Sequence, residues 1–262
     1  MRIACVGDAC VDRYAGPAAR RSVGGNAVNV AAALARAGHD VAWAGAVGDD
    51  EDGRAVLAAL AALGVDTSLA AVVPGGVTGA CEVELGPDGE RAFRWERVGV
   101  SADYRPDAAA LTVLAGCAWV HAAGLLGCPE LPARLAGVRV SFDFSHHDRP
   151  ALVPQIAPHV ELAVFSRGGG REAALAIARE AVALGATAAI VTRGAHGSLV
   201  FDGALHERPA HPARVVDSLC AGDALIAAVI DARLRGAGWP PALEAGSRAA
   251  AAACAVVGAW EP

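Results

Sequence analysis

The chain contains the stretch Val215-Val216-Asp217-Ser218-Leu219-Cys220-Ala221-Gly222-Asp223, which residues 224–230 continue as an unbroken apolar run. The valine pair predicts a short strand, the small residues a tight turn, and the apolar run a helix that starts at or just before Asp223. Backbone N–H groups at a helix start lack partners and carry partial positive charge, so this turn suits an anion.

An acidic residue beside a bound anion needs an explanation, because the two charges repel each other. One arrangement removes the conflict: the amides hold a transferring phosphoryl group while Asp223 accepts a proton from the attacking hydroxyl. The alternative is that Asp217 or Asp223 only caps the helix. Taken alone, this stretch favours the capping interpretation, so a catalytic role for Asp223 needs support from the rest of the sequence.

The composition limits the class of protein. The 262 residues are 54% hydrophobic, which suffices for one large α/β domain or two small ones. The net charge is -6 without a basic tract, so no nucleic-acid partner is expected. No apolar run is as long as a membrane span. Seven cysteines without a Cys-x-x-Cys pair favour a reducing compartment, by default the cytoplasm, and argue against a structural zinc site.

The chain has no lysine, since all 22 basic residues are arginine. P-loop NTPases, protein kinases, pyridoxal enzymes with a Schiff-base lysine and enzymes with a Ser-Lys dyad all need a lysine and are therefore excluded. The G-x-G-x-x-G fingerprint of dinucleotide-binding proteins is also absent. If this protein handles ATP, it must do so with backbone amides, arginines and a metal ion.

Apolar runs alternate with helical patterns along most of the chain. We predict strands near 2–7, 40–47, 117–122, 138–144, 160–165, 187–192 and 198–202, and helices near 54–63, 106–114, 129–136, 171–185 and 242–257. This alternation implies a mostly parallel sheet with helices on both faces. The short β-type runs at 70–73, 77–85 and 91–97 interrupt it, and they predict a small antiparallel insertion that packs over the ligand edge as a lid.

Three further segments carry candidate ligand groups. Asp12 follows the first strand, at the sheet edge where ligands bind in open α/β folds, and could bind sugar hydroxyls; a turn aspartate is the alternative. The segment Gly24-Gly25-Asn26-Ala27-Val28-Asn29 opens a helix whose two asparagines share a face, which suits a polyol, although Asn26 could simply cap the helix. The turn Thr192-Arg193-Gly194-Ala195-His196-Gly197 could hold phosphates through its amides, or be a plain β-turn.

From Arg2 to the C-terminus the chain resembles the ribokinase-like (PfkB) carbohydrate kinases, through three signals in this order: residues 24–29, residues 192–197 and residues 217–223. Within that family the chain looks most similar to the fructoselysine 6-kinases, through a set of short strings: Gly7-Asp8-Ala9-Cys10-Val11-Asp12, residues 24–30, Val47-Gly48-Asp49-Asp50, Phe142-Asp143-Phe144-Ser145 and Gly258-Ala259-Trp260.

The resemblance implies a single domain over residues 1–262, with a three-layer α/β/α sandwich and a β lid formed by about 13–23 and 69–97. It also implies ATP and Mg²⁺ as cofactors, and a homodimer through the lid is plausible by analogy. The residue roles that it implies are Asp223 as the catalytic base, Cys220, Ala221 and Gly222 as the anion hole, Asp12, Gly25, Asn26 and Asn29 for the substrate, and Thr192, Arg193, Gly194, Gly197 and Cys254 for ATP.

The chain departs from the family pattern at two places. Cys220 replaces the first glycine of the usual Asp-Thr-x-Gly-Ala-Gly-Asp turn, and if that position needs a positive φ, its Cβ costs about 1–2 kcal/mol. The family's Asn-x-x-Glu motif, which organises metal-bound water, is absent at the corresponding residues 166–169. The metal ligands therefore stay unassigned.

The resulting hypothesis is an ATP-dependent kinase that phosphorylates a primary hydroxyl of a sugar or sugar–amine adduct of the fructoselysine type, at the 6-position. Two alternatives remain. The chain could be a catalytically impaired homologue that only binds a sugar or nucleotide, which the two departures favour. It could also be a nucleoside kinase on the same fold, which aromatic residues in the lid would favour.

Overall fold

The computed structural model describes all residues except 16–18, 87–90, 126, 147–149, 169, 259 and 261–262. Parts of the expected lid, the last position of the missing Asn-x-x-Glu motif and Ala259 lie outside the described residues. The strands are β1 Arg2–Gly7, β2 Cys10–Tyr14, β3 Arg20–Gly24, β4 Asp40–Ala44, β5 Ala46–Gly48, β6 Ala71–Val73, β7 Gly79–Leu85, β8 Arg91–Arg97, β9 Trp119–Ala123, β10 Val140–Asp143, β11 Leu162–Ser166, β12 Ala188–Thr192, β13 Ser198–Phe201 and β14 Leu205–Arg208.

The described helices are α1 Asn26–Arg36, α2 Glu51–Ala62, α3 Ala108–Ala115, α4 Leu131–Arg134, α5 Val153–Ile156, α6 Arg171–Ala183, α7 Ala221–Leu234 and α8 Trp239–Ala253. None of them is long and apolar enough to cross a membrane.

An eight-stranded sheet forms the centre of the molecule, in the order β14-β13-β12-β11-β10-β9-β1-β4. The six strands from β12 to β4 are parallel, and β13 and β14 are added antiparallel at one edge. Parallel strands need crossover connections, which the intervening helices supply. The mostly parallel sheet predicted from the sequence is therefore confirmed, while the edge strand β14 was not predicted.

Each face of this sheet packs against its own layer of helices. In β1, Ile3 and Cys5 pack with residues of α1, α2, α7 and α8, whereas Ala4 and Val6 pack with residues of α3, α4, α5 and α6. Successive side chains of a strand point to opposite faces, so a strand buried on both sides has to be apolar throughout. The α/β/α sandwich is confirmed by this arrangement.

A second sheet, in the order β3-β2-β7-β8, contains most of the segments expected in the lid. It is mixed and not antiparallel throughout as expected, because β2 and β7 run parallel while β2–β3 and β7–β8 are antiparallel. The predicted lid strand at 70–73 is elsewhere: β6 pairs in parallel with β5 in a separate two-stranded sheet.

The predicted strand at Val215-Val216 is absent. Instead, the backbone amides of Val216 and Asp217 both donate hydrogen bonds to the carbonyl oxygen of Cys254, 2.8 and 3.2 Å away. The backbone N–H groups of this segment thus find their hydrogen-bond acceptor at the end of α8 and not on a neighbouring strand. The helix that follows was predicted correctly, and it starts at Ala221.

Several predicted boundaries shifted for local reasons. Helix α2 begins at Glu51 because Asp50 caps it, accepting a hydrogen bond from the Gly53 amide at 2.8 Å. The run predicted as a helix at 129–136 forms only the single turn of α4. Helix α8 begins at Trp239, where prolines at its first positions suit a helix start.

Cys220, immediately before α7, adopts the left-handed conformation with φ 66° and ψ 2°. Among the described non-glycine residues only Ser145 and Cys220 have a positive φ. A Cβ in this region costs about 1–2 kcal/mol, so the strain expected at this turn is present. The buried thiol packs with Tyr14, Cys81 and Leu219, and this packing offsets part of that cost.

The strain can be isolated by comparing Cys220→Ala with Cys220→Gly, because both variants lose the thiol and only alanine keeps the Cβ. We expect the glycine variant to be more stable by about 0.5–1 kcal/mol in urea unfolding, after the greater flexibility of unfolded glycine is allowed for. Ala232→Gly, within α7, is the control and should instead destabilise the protein by about 1 kcal/mol. Equal stability loss at both positions would contradict the strain.

Candidate active site

Asp223 lies in the first turn of α7 and is only 8% exposed. Its Oδ2 accepts a hydrogen bond from Nδ2 of Asn29 on α1 at 2.8 Å. The same Nδ2 lies 3.3 Å from the Cys220 thiol, and Oδ1 of Asn29 accepts a hydrogen bond from the indole Nε1 of Trp260 at 3.1 Å. Residues from both ends of the chain therefore meet at this carboxylate.

The Trp260 contact fixes the orientation of the Asn29 amide. An indole N–H can only donate, so the oxygen of the amide must face Trp260 and its NH₂ group must face Asp223. A donor at this position suits an ionised carboxylate, the form that can accept a proton. Asn29 and Trp260 thus form a relay that orients Asp223, and the amide groups of Asn29 are engaged by protein atoms.

A second buried carboxylate, Asp217, holds the turn before α7. Its Oδ1 accepts a hydrogen bond from the Leu219 amide at 2.8 Å, and its Oδ2 accepts from the Gly258 amide at 2.8 Å and the Tyr14 hydroxyl at 2.7 Å. Burial, together with the hydrogen bond to Asp217, raises the pKa of Tyr14 well above its ordinary value, so the phenol keeps its proton and donates. Asp217 acts as a structural anchor in this arrangement.

The start of α7 faces open space beside two hydroxyl groups. A Cβ added at Gly222 would meet only the Ser166 Oγ, 4.0 Å away, and Ser166 Oγ lies 3.1 Å from Thr192 Oγ1. The Ala221 amide makes a long hydrogen bond of 3.4 Å to the Ser218 carbonyl. The predicted anion-hole residues therefore surround a space that two hydroxyl groups border, and Ser166 is a residue that sequence reasoning missed.

Asp12 is 3% exposed and lies on β2, a central strand of the second sheet. Its Oδ1 accepts hydrogen bonds from the thiols of Cys10 at 3.2 Å and Cys81 at 2.9 Å. A side chain at Gly24 would overlap its carboxylate, so glycine is required there. Of the residues that the structure describes, this thiol–carboxylate–thiol group is the one cluster with metal-binding spacing.

The start of α1 is built from glycine and aspartate. Gly25 has φ 107°, and a Cβ there would approach the Asp8 carbonyl and Ala9 Cα to 2.8 Å. Asp8 caps the helix by accepting hydrogen bonds from the Asn26 and Ala27 amides, each at 3.0 Å. The capping role that was the alternative for Asn26 therefore belongs to Asp8.

The side chain of Asn26 connects α1 to the end of β10. Its Nδ2 donates a hydrogen bond to the Ser145 Oγ at 3.2 Å. Ser145 in turn donates its backbone amide to Asp143 Oδ1 at 2.7 Å. Asp8 and Asp143 are thus brought to the same region of the sheet edge, a proximity that the sequence did not reveal.

The turn after β12 lies at the same end of the sheet. Gly194 and Gly197 both have positive φ, 57° and 83°, and nothing lies within 4 Å of a Cβ added at Gly194. Arg193 donates from Nη2 to the His196 carbonyl at 2.8 Å, while its Nε is buried without a partner in the described structure. A cationic group with an unsatisfied donor and an open glycine are features of a phosphate site.

A cavity of about 830 Å³ opens beside the proposed base. Its polar lining comprises Arg20, Asn29, Arg36, Cys220 and Asp223, and Trp260 forms part of the wall. This volume is within the range of small-molecule sites. The site residues from α1, the α7 turn and the end of the chain therefore surround a space large enough for a small ligand.

The pKa of Asp143 is raised to about 7, because the carboxyl group is buried and the nearby Asp8 repels its charge, while the Ser145 amide works in the opposite direction. Burial also raises the pKa of Asp8, against the opposing effect of the Ala27 and Asn26 amides. The folded protein therefore keeps a proton on Asp143 in a pH range where the unfolded chain has released it.

Stability contributed by this proton is present below the ordinary aspartate pKa near 3.8 and is lost as the pH rises towards 7. We expect Asp143→Asn, which removes the ionisation, to gain stability relative to the parent protein at pH 8 but not at pH 4, by on the order of 2 kcal/mol. Urea unfolding at both pH values measures this difference. The exposed Asp103→Asn is the control, and an Asp143→Asn effect independent of pH would contradict the assignment.

The comparisons with known proteins agree with this fold. The family described as pfkB family carbohydrate kinase matches residues 2–134 and 159–262. The chain is 36% identical to a fructoselysine 6-kinase of Shigella flexneri, over 98% of this chain and 99% of that protein. It is 30% identical to a fructosamine kinase of Bacillus subtilis, over 99% of this chain and 93% of that protein.

The fold is also similar to that of an Arabidopsis thaliana ribokinase solved with ribose and ATP, with a TM-score of 0.84 and 20% identity over 98% of this chain and 93% of that one. This likeness shows the shared fold, and the family match extends over most of the sequence. The motifs that carried the family resemblance lie together at one end of the central sheet. The chain belongs to the pfkB family of carbohydrate kinases.

Proposed function

We propose that this chain is an ATP-dependent kinase that phosphorylates the 6-hydroxyl of a fructosamine-type sugar–amine adduct. The observation that carries the proposal is the position of Asp223, which is buried at the start of α7 and oriented by the Asn29–Trp260 relay. The full-length similarity to a fructoselysine 6-kinase and a fructosamine kinase supports the substrate class.

In this proposal the reaction depends on two groups within one helical turn. Asp223 accepts the proton of the attacking primary hydroxyl, which becomes the nucleophile towards the γ-phosphorus of ATP. The backbone of Cys220, Ala221 and Gly222 stabilises the negative charge of the transferred phosphoryl group. The hydroxyls of Ser166 and Thr192, beside Gly222, add donors in the same region.

The sugar is assigned to the space between α1 and the second sheet. Asp12 would accept hydrogen bonds from sugar hydroxyls, Gly25 would allow the close approach of the ligand to the backbone, and Asn26 would donate to it. We assign Asn29 an indirect role, because its amide already contacts Trp260 and Asp223. It positions the base that activates the sugar.

ATP is assigned to the opposite side of the same turn. Its phosphates would be bound by the open backbone at Gly194 and Gly197, the hydroxyl of Thr192 and the guanidinium of Arg193. Cys254, at the end of α8, would lie near the adenine ring. The orphaned Nε of Arg193 supports this assignment, because a buried donor without an acceptor fits an anionic ligand.

The residues at the position of the missing Asn-x-x-Glu motif fit Mg²⁺ poorly. Mg²⁺ in proteins takes oxygen ligands, usually one or two carboxylates with phosphates and water. The described part of the missing motif, Ser166, Arg167 and Gly168, supplies a hydroxyl and a cation and no carboxylate. Any Mg²⁺ that arrives with ATP would be held mainly by the phosphates and water, and no step is assigned to it.

The second sheet would also form the contact of a homodimer. Its edge strand β8 carries Phe93 and Trp95, which are 42% and 40% exposed. A second copy of the chain would cover these rings. We expect sedimentation to show a dimer at micromolar concentration and a shift towards monomer in Trp95→Glu; a monomeric parent protein would contradict the contact.

The function is tested by ADP release with a fructose–lysine adduct, fructose, ribose and adenosine as acceptors. We expect the adduct to give the highest kcat/KM. We expect Asp223→Asn, which keeps an acceptor for Asn29, to lower kcat by at least about 10²-fold. ATP affinity, measured by calorimetry, should change little because the backbone at the turn is retained.

A second variant separates positioning from contact with the substrate. Trp260→Phe keeps an aromatic ring, although a smaller one, and removes the N–H that fixes Asn29, so kcat should fall by roughly 3–10-fold with little change in KM. Unchanged kcat in Asp223→Asn would refute the base. Ligand binding without turnover on any acceptor would establish the impaired homologue instead, and preferred turnover of adenosine would establish a nucleoside kinase.

A further inference from the structure

Cys10, Asp12 and Cys81 meet on one face of the second sheet. Cys10 and Asp12 are two residues apart on β2, so they point to the same side. The parallel register places Cys81 of β7 opposite Asp12, and Gly79 opposite Cys10. The two thiols therefore flank a single carboxylate, although they are 71 positions apart in the sequence.

The distances between these groups are short. Asp12 Oδ1 lies 3.2 Å from the Cys10 sulfur and 2.9 Å from the Cys81 sulfur. All three ligand atoms lie within 4.8 Å of one another. Zn–S bonds of about 2.3 Å and a Zn–O bond of about 2.1 Å at tetrahedral angles place ligand atoms roughly 3.5–3.8 Å apart, so a small adjustment would complete the geometry.

We propose that Cys10, Asp12 and Cys81 bind one Zn²⁺ ion. Two sulfurs and one carboxylate oxygen match the ligand preferences of zinc, and three protein ligands leave a fourth position for water or another ligand. Mg²⁺ prefers oxygen ligands and would not compete for this site. Cys10 is partly exposed, which gives the ion a route from solvent.

Both thiols donate to Asp12 Oδ1 and therefore carry protons before the ion binds. Binding therefore forms two Zn–S bonds and one Zn–O bond and releases one proton from each thiol to solvent, without any change of oxidation state.

A disulfide between the two cysteines fits the sheet less well. Cys10 pairs with Gly79, so Cys81 is offset from Cys10 by two residues. A spacing of about 4.8 Å between strands and an offset of about 6.6 Å along them place such Cα atoms roughly 8 Å apart. Disulfides span Cα separations of about 4.4–6.8 Å. The pair can share a metal ion without the backbone movement that a disulfide needs.

The site has a consequence for catalysis that rests on the proposed function. Asp12 is the carboxylate assigned to the sugar, so a Zn²⁺ ion bound to it would exclude the sugar hydroxyls. Zn²⁺ would then act as an inhibitor competitive with the sugar and not with ATP.

Titration of the reduced, metal-free protein with Co²⁺, a spectroscopic substitute for Zn²⁺, tests the site without any assay of activity. We expect one equivalent to produce thiolate-to-cobalt charge-transfer bands in the ultraviolet and tetrahedral bands in the visible, and Zn²⁺ to displace it. Cys10→Ser and Cys81→Ser should each weaken Co²⁺ binding by at least roughly 10–100-fold, which is the loss typical when a residue that only hydrogen-bonds to a metal ligand is mutated. Cys117→Ser is the matched control, since its oxygen can keep the bond to the Val113 carbonyl.

Absence of these bands in the parent protein, or their persistence in both Cys10→Ser and Cys81→Ser with circular dichroism unchanged, would overturn the site. Addition of the fructose–lysine adduct should raise the apparent Kd for Co²⁺. If calorimetry shows that the adduct binds but the Kd for Co²⁺ does not change, the proposed competition is wrong. A protein that binds Co²⁺ as expected but phosphorylates no acceptor would contradict the proposed function and leave the metal site in place.

Discussion

The buried carboxylate of Asp217 is the interaction on which the active-site turn depends. It is fully buried, and such a group is tolerated only when hydrogen bonds replace its hydration. Its three donors come from the turn itself, from Gly258 near the end of the chain and from Tyr14 on the second sheet. One side chain therefore fixes the start of α7 relative to two distant segments, and any change at Asp217 would disturb all three.

The central sheet supplies the rigid support for this arrangement. Its strands are covered on both faces, and several candidate site residues lie at the strand ends or directly after them. Asp143 and Ser145 follow β10, Ser166 ends β11, and Thr192 ends β12. Ligand sites of open α/β sheets occur beyond the carboxyl ends of strands, and the candidate site residues of this molecule lie at such ends. Two departures from the family pattern, at Cys220 and at the described residues 166–168, lie at this same edge.

The sequence predicted the layers because they follow from a short-range signal, the alternation of apolar strands with helical patterns. It also predicted that Asp223 would stand at a helix start, and the family resemblance indicated strain at Cys220 if that position needed a positive φ, which it has. It could not predict that Asn29 contacts Trp260, or that Cys10 and Cys81 flank Asp12, because those contacts depend on sheet register and on segments far apart in the chain. The wrong strand at Val215-Val216 shows the same limit: its local pattern was apolar, but its amides found an acceptor at Cys254.

The hydrogen bond between Asn29 and Trp260 spans 231 positions of the chain. A chain is synthesised from its N-terminus, so the segments that form the central sheet leave the ribosome before Trp260 does. Strand β1, helix α1 and most of the sheet can assemble before residue 260 emerges from the ribosome, but the amide of Asn29 has no indole to orient it until then. Asp223 and its supporting scaffold are therefore made before the indole that orients the carboxylate through Asn29. A nascent chain would fold its scaffold before its candidate site is oriented.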